Sequence, residues 1–321
     1  MSKGVREQFS ALRSACGLSD LRDRAKLILT GEDRVRWLNG MVTNNIRDLA
    51  PGHGVYAFLL NPLGHILGDM YAFHRGDSLL IDTDEGQFEK IAATFDHYII
   101  MDDVEVTDAR KRLGALGVVG PQSREVLAKA GVEVPELAAL QLADLTWQGS
   151  GITLLHTDDT AGNSYEIWAA PETLAKLEKA LLAAGSTLIS PAALELHRIG
   201  LGVPRYGHDI RERDLPQETG QERALHYAKG CYVGQEIVER IRSRGGVHRT
   251  FAGFAVHGLL PAPGTKIRSG DKDVGEITSS AVLPLTEGDK AVALGYVRKE
   301  AISKDLVAGE ARLTPTTLPF V

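Results

Sequence analysis

Lys229-Gly-Cys-Tyr-Val-Gly-Gln-Glu236 sets one of the two cysteines of this chain between a Lys-Gly pair and a Gln-Glu pair. A cysteine reacts as its thiolate, which nearby positive charge favours, and flanking glycines admit a partner close to the backbone. The alternative for Cys231 is a buried structural thiol in a tight turn. Arg240-Ile-Arg-Ser-Arg-Gly-Gly-Val-His-Arg249 follows closely and adds a run of cations. Arg240, Arg242 and Arg244 alternate, so an extended backbone would project them from one face toward a polyanion or an acidic partner. Ordinary solvated surface charge gives the same run.

Two carboxylates stand in strand-like surroundings. Between His65 and Phe73, Leu67, Asp69, Tyr71 and Phe73 share one face, and Ile66, Gly68, Met70 and Ala72 share the other. Both faces are apolar, which predicts burial on both sides. A carboxylate there needs a partner, or its pKa rises; an Asp69 at a strand edge would instead reach solvent or a backbone donor. Gly162-Asn-Ser-Tyr-Glu-Ile-Trp168 reads as a loop entering a strand with Ser164, Glu166 and Trp168 on one face. Taken alone, that pattern gives an exposed strand glutamate. The segment His197–Ile210 supplies Arg198, Arg205 and Tyr206. Arginine suits planar recognition of a carboxylate, and tyrosine can stack on a flat ring. Internal pairing, for example of an arginine with Asp209, accounts for the arginines equally well.

The elements that must position these groups mix helices and strands, so the expected fold class is α+β or mixed α/β. Val55–Leu60 and His65–Phe73 are predicted strands joined by the turn-forming Asn61-Pro-Leu-Gly64. Phe88, Ile91, Ala92 and Phe95 mark one helical face, and Leu174, Leu177 and Leu181 another, with Pro171 before it and Gly185 after. A strand at 113–119 leads through Gly120-Pro121 into a helix reaching about Ala130, and Ser190-Pro191 begins one reaching about Ile199. From Phe251 the texture changes to short strands, including Phe251–Val256, Val274–Thr278 and Ala291–Val297. They alternate with Gly, Pro and Asp turns, the pattern of a small terminal β-barrel.

The 321 residues suffice for two or three domains, and 43% apolar residues for ordinary cores. A net charge of −6 argues against a general nucleic-acid binder, and no direct nucleic-acid contact is expected. No apolar run approaches the ~18 residues of a membrane span, and the first ten residues lack a signal-peptide core. A cytoplasmic location without membrane contact is therefore expected. An iron–sulfur cluster held by one chain usually takes four cysteines, so Cys16 and Cys231 predict no permanent cluster. There is no Cys-x-x-Cys, His-Glu-x-x-His, Walker or dinucleotide-binding glycine motif, and a catalytic metal is not expected.

Leu215-Pro-Gln-Glu218, the Cys231 motif and Arg244-Gly-Gly-Val-His-Arg249 together resemble the YgfZ family of folate-binding proteins. These are relatives of the aminomethyltransferase (T-protein) of glycine cleavage and are associated with maintaining iron–sulfur enzymes. The likeness extends to Val203-Pro-Arg-Tyr-Gly-His-Asp-Ile210, Leu29-Thr-Gly-Glu-Asp-Arg34 and Trp37-Leu-Asn-Gly-Met-Val-Thr-Asn44. It implies an α+β three-domain cloverleaf of the aminomethyltransferase folate-binding type with a C-terminal β-barrel. The implied domains are 1–52 with 191–245, a central ferredoxin-like region 53–190, and a barrel at 246–321.

The resemblance implies tetrahydrofolate, or another reduced folate, as cofactor. It implies that Asp69, Glu166, Arg198, Arg205 and Tyr206 hold it, with Glu166 taking the pterin-recognising place. A pterin offers an amino group and a ring N–H side by side, and one carboxylate can accept both. Asp69 and Cys231 are the implied reactive groups, and iron–sulfur client or assembly proteins the implied partners. The family's link to tRNA thiolation runs through iron–sulfur enzymes and needs no RNA contact. Where the T-protein carries an acidic pair, this chain has Gly68-Asp69, and where it has Asp-Gly, this chain has Asn163-Ser164. Those departures weigh against a one-carbon transferase, which stays as an alternative beside a non-catalytic adaptor.

Overall fold

The structure, a computed structural model, describes residues 2–158 and 163–321. Gly162, placed at the start of the predicted loop before Glu166, lies outside the described residues. The chain forms two compact units. One comprises the residues up to Leu59 with Leu67–Ser190 and His226–Val233; the other comprises Leu60–Ile66, Pro191–Leu225 and Gly234–Val321.

The first unit contains two sheets. A five-stranded sheet runs Gly54–Leu60, Ile66–His74, Leu79–Asp84, Arg24–Thr30, Glu105–Asp108 in spatial order. A six-stranded sheet runs Thr187–Leu188, Gly17–Asp20, Gly114–Val119, Tyr165–Ala169, Ser150–His156, Leu142–Trp147. Phe73 and Leu80 of the first pack on Ala115, Leu142, Leu155 and Trp168 of the second, so the two sheets face one another. Helices cover the outer faces. Arg34–Met41 and Phe88–Tyr98 place Trp37, Leu38, Met41, Phe88, Ile91 and Phe95 against the five-stranded sheet. Ser123–Lys129 and Pro171–Ala183 place Val126, Leu127, Leu174, Leu177 and Leu181 against the other.

Local sequence explains these elements. Asn61 Oδ1 accepts the N–H groups of Leu63 and His65 at 3.0 Å each, closing the hairpin turn, and Gly64 takes φ +75° there. Pro171 opens its helix at a position where the missing N–H costs nothing, and Gly185 ends it at φ +107°. The strand Ile66–His74 departs from the expectation of two buried faces. Ile66, Gly68, Met70 and Ala72 are buried against the helix layer, whereas Leu67, Asp69 and Tyr71 are half-buried. The second face looks into the space between the sheets, where buried Phe73 joins the apolar cluster and charged side chains lie beside it.

In the second unit, six strands close a barrel in the order Arg249–His257, Gly288–Arg298, Lys272–Leu285, Lys266–Ser269, Leu306–Ala308, Ala311–Thr316. Its interior is filled by Phe254, Ile267, Ile277, Val297, Leu306 and Leu313. The extended reading of the arginine run is corrected here: Gln235–Ser243 is a helix, entered from Gly234 at φ +83°. Residues two apart on a helix do not face each other, so Arg240 and Arg242 form no common stripe. Arg242 lies 3.6 Å from Glu239 instead.

Candidate functional site

Strand register builds the polar cluster between the two sheets. Arg24–Thr30 and Leu79–Asp84 run antiparallel with Lys26 opposite Asp82 and Arg24 opposite Asp84. The Lys26 ammonium is fully buried and donates to Asp82 Oδ1 at 2.7 Å. Arg24 grips Asp82 Oδ2 through Nε at 3.0 Å and Nη2 at 2.8 Å, and reaches Asp84 through Nη1 at 2.5 Å. Burial works against the charge of Asp82, but Arg24 and Lys26 outweigh it and hold this carboxyl below the usual range.

Glu166 arrives from the facing sheet. Its Oε2 accepts the Trp168 indole N–H at 2.8 Å, and the Lys26 ammonium stands 4.8 Å from the centre of a Trp168 ring. Burial, reinforced by the charge of Asp82, pushes the Glu166 pKa up against the pull of Lys26 and Arg24. Asp69 is clamped. Tyr56 donates to Oδ2 at 2.6 Å and Gln87 Nε2 to Oδ1 at 2.7 Å, while Gln87 Oε1 accepts the Asp69 N–H at 2.9 Å. Burial is again the first cause of its raised pKa. Neighbouring rings run from Tyr56 to Tyr71 (5.1 Å), Phe73 (6.3 Å) and Trp168 (5.0 Å), joining the partner of Asp69 to the partner of Glu166.

Gly68 makes the clamp possible. A Cβ there would stand 3.0 Å from Gln87 Oε1 and 3.4 Å from Ile91 Cγ1. Gln87 is buried and held at both ends, so it has little room to yield. Gly68→Ala gains about 0.5–1 kcal/mol from the stiffer backbone and loses about 1–3 kcal/mol from overpacking. The expected net effect is a loss of about 1 kcal/mol, read as a lowered urea midpoint with unchanged m-value. A raised midpoint would show that Gln87 moves aside at no cost.

The thiol stands apart from this packing. Cys231 is exposed and free, whereas Cys16 is buried and burial pushes its thiol pKa up. Lys229, at 3% exposure, donates to the Asn39 carbonyl and lies 4.6 Å from the Tyr232 ring centre. Burial, helped by Arg47, lowers its pKa to about 8 against the opposing charge of Cys231. Asn39 also accepts the N–H groups of Ile46 and Arg47 at 3.0 and 3.3 Å, and Gly40 accepts the N–H of Val233 at 3.1 Å. The motif is thus anchored on the helix Arg34–Met41.

Asp69, Glu166 and Cys231 belong to the first unit; Arg198, Arg205 and Tyr206 belong to the second. Arg198 spends all five N–H donors internally, on Glu195, Asp209, Ser279 and the Val203 carbonyl. It is a strut here, which is the internal-pairing alternative and not a free carboxylate receptor. Arg205 lies 3.3 Å from Glu195, and half-buried Tyr206 bridges to Ile210. Sequence reasoning missed Arg24, Lys26, Asp82, Tyr56 and Gln87. A usable signal existed in Arg24-Ala-Lys26 and Asp82-Thr-Asp84, where opposite charges alternate on two strands. Among the described residues no group of three or more His, Cys, Asp or Glu is placed to hold a metal, and no helix is long and apolar enough to cross a membrane.

A family model of the GCVT N-terminal domain matches residues 1–229, and one of the CAF17 C-terminal beta-barrel domain matches residues 249–320. The chain is 27% identical over 304 residues to an aminomethyltransferase of Halothermothrix orenii, spanning 91% of this chain and 83% of that protein. It is 26% identical over 324 residues to one from Thermus thermophilus, spanning 98% and 90%. The crystal structure of glycine cleavage system aminomethyltransferase T from Bartonella henselae has the same fold. Its TM-score is 0.88 at 21% identity, covering 99% of this chain and 89% of that one.

Proposed function

We propose that this chain, which belongs to the GCVT N-terminal domain family, is a tetrahydrofolate-binding protein of the YgfZ kind that supports iron–sulfur enzymes through Cys231. The observation that carries the folate reading is the pairing of two held carboxyls, Glu166 and Asp69, along one row of aromatic rings. Each oxygen of a carboxylate has two acceptor sites. Glu166 therefore keeps capacity for the adjacent N–H groups of a pterin after accepting from Trp168. Tyr56, Phe73 and Trp168 are buried within that row, and half-buried Tyr71 is the ring of the row that reaches its surface. The exposed thiol of Cys231, with the buried Lys229 ammonium two residues away, supports the iron–sulfur part. The Cys231 sulfur engages a sulfur, an iron or a client protein while folate occupies its own site.

A one-carbon transferase is favoured by one observation. Asp69 is a half-buried carboxyl that desolvation pushes above the usual carboxylate pKa, so it holds a proton more readily than an exposed aspartate. Turnover of an aminomethyl donor by purified protein separates the two readings. Neither reading survives if a well-folded sample shows no heat of binding with tetrahydrofolate; a protein-contact adaptor would then remain.

Glu166→Gln tests the pocket directly. The amide offers one acceptor and one donor, so one pterin N–H loses its partner at a cost of about 1–3 kcal/mol, or roughly 5- to 150-fold in affinity. The apo protein should not lose stability at pH 7, because the substitution removes a carboxyl whose ionisation burial opposes. Calorimetry and thermal melting together read both effects. Unchanged affinity would take Glu166 out of the pocket.

A further inference from the structure

We infer that the buried Lys26–Asp82 ion pair is a positioning device for Glu166. Lys26 fixes the Trp168 ring that holds Glu166 Oε2, and the two opposite charges together decide whether Glu166 is ionised for its ligand. The inference rests on the folate reading of Glu166 and says how that residue is prepared. A clasp between two strands is the simpler account of Lys26 and Asp82, since they are registered opposite each other. The placement goes further than a clasp requires. Lys26 sits against the Trp168 ring of the partner sheet, and the only hydrogen-bond acceptor that it reaches among the described residues is Asp82. Its positive end is turned to the indole whose N–H is committed to Glu166.

The charges that act on Glu166 are Lys26 and Arg24 from one strand and Asp82 from the next. On its own sheet, the residues registered beside Glu166 are Gly117 and Leu155, which carry none. Arg24 is shared between Asp82 and Asp84, so Lys26 and Asp82 are the two groups whose removal changes the field with opposite sign. Without Lys26, Glu166 ionises less readily; without Asp82, it ionises more readily. A protonated Glu166 presents a donor where the ligand needs two acceptors.

Carboxyl carbon-13 NMR of the full chain without ligand reads this directly, with Glu166 assigned by the signal lost in Glu166→Gln. Lys26→Met is expected to raise the Glu166 titration midpoint by about one pH unit or more, and Asp82→Asn to lower it. Both variants break the same ion pair, so both should melt earlier. Lys26→Arg, which keeps the charge, should return the midpoint toward the wild-type value. Should Lys26→Met not fold, Lys26→Gln keeps a hydrogen-bond donor and reads the same loss of charge. Calorimetry then follows: the charge-free variant at position 26 binds tetrahydrofolate more weakly at pH 7 and regains affinity as the pH is raised. Midpoints that stay put, or that move the same way in both variants, overturn the inference and reduce the pair to a clasp. Failure of the wild type to bind tetrahydrofolate would instead end the folate reading, because the NMR titration contains no ligand.

Discussion

Cys231→Ser is expected to leave the melting temperature and the tetrahydrofolate affinity unchanged while abolishing support of iron–sulfur enzymes. Cys231 is exposed and belongs to none of the buried clusters that fill the two sheets or the barrel. Replacing an exposed side chain by one of similar shape usually changes stability by less than about 0.5 kcal/mol. What serine removes is the sulfur, and with it any bond to sulfur, iron or a partner cysteine. The neighbouring framework stays, since Lys229 is anchored on Asn39 and Val233 on Gly40 through groups that position 231 does not supply. Complementation of a strain lacking the protein, scored by the activity of an iron–sulfur enzyme, gives the functional arm. Calorimetric melting and folate titration give the other two. Full complementation by the serine protein, or a markedly lower melting temperature, would return Cys231 to a structural part.

Much of the scaffold was legible in the sequence because its signals are local. The helix periods at Phe88–Phe95 and Leu174–Leu181, the Asn61–Gly64 turn and the change of texture after Phe251 each match an observed element. The arginine run failed for a physical reason. Arg240-Ile-Arg-Ser-Arg alternates like a strand, but Gln235-Glu-Ile-Val-Glu239 before it starts a helix at Gly234, and the run is carried along by propagation. The candidate site was half legible. Asp69 stood out as a carboxylate among apolar neighbours, whereas Glu166 taken alone read as an exposed strand glutamate and was singled out by the family resemblance. Their holders did not stand out, because Gln87 lies 18 positions from Asp69 and Lys26 lies 56 positions from Asp82. Such pairings are set by register and by the facing of two sheets, which no window along the chain contains. Arg198 read equally as a receptor or as an internally paired group for the same reason: its acceptors come from 3, 5, 11 and 81 positions away and become visible only when folded.

Asp82→Ala is expected to cost about 3–5 kcal/mol of unfolding free energy at pH 7, a large part of the roughly 5–15 kcal/mol typical of a folded protein. Its side chain is 3% exposed and accepts from both Arg24 and Lys26. Alanine leaves the Lys26 ammonium at 0% exposure with no acceptor, while Arg24 keeps Asp84. The pair itself need not stabilise the fold, because the cost of desolvating two ions offsets much of their attraction. Lys26→Met combined with Asp82→Leu should therefore recover most of the loss, giving a strong coupling in a double-mutant cycle. The pH dependence follows from linkage. The folded-state pKa of Asp82 lies below its unfolded value of about 3.9, so the unfolded chain binds the proton more readily in between. The contribution is complete above about pH 3.9 and is lost as the pH falls through the depressed folded value. Asp69 and Glu166 act in the opposite sense. Their folded values are raised, so the folded protein holds extra protons, and their contribution falls as the pH rises from about 4 through those values. Urea unfolding across the acid range should thus show the gap between wild type and Asp82→Ala shrinking below about pH 4, with the gap at neutral pH the larger. A gap of constant size at every pH would mean that alanine acts through lost packing, and that the charge of Asp82 contributes nothing to holding Lys26 between the sheets.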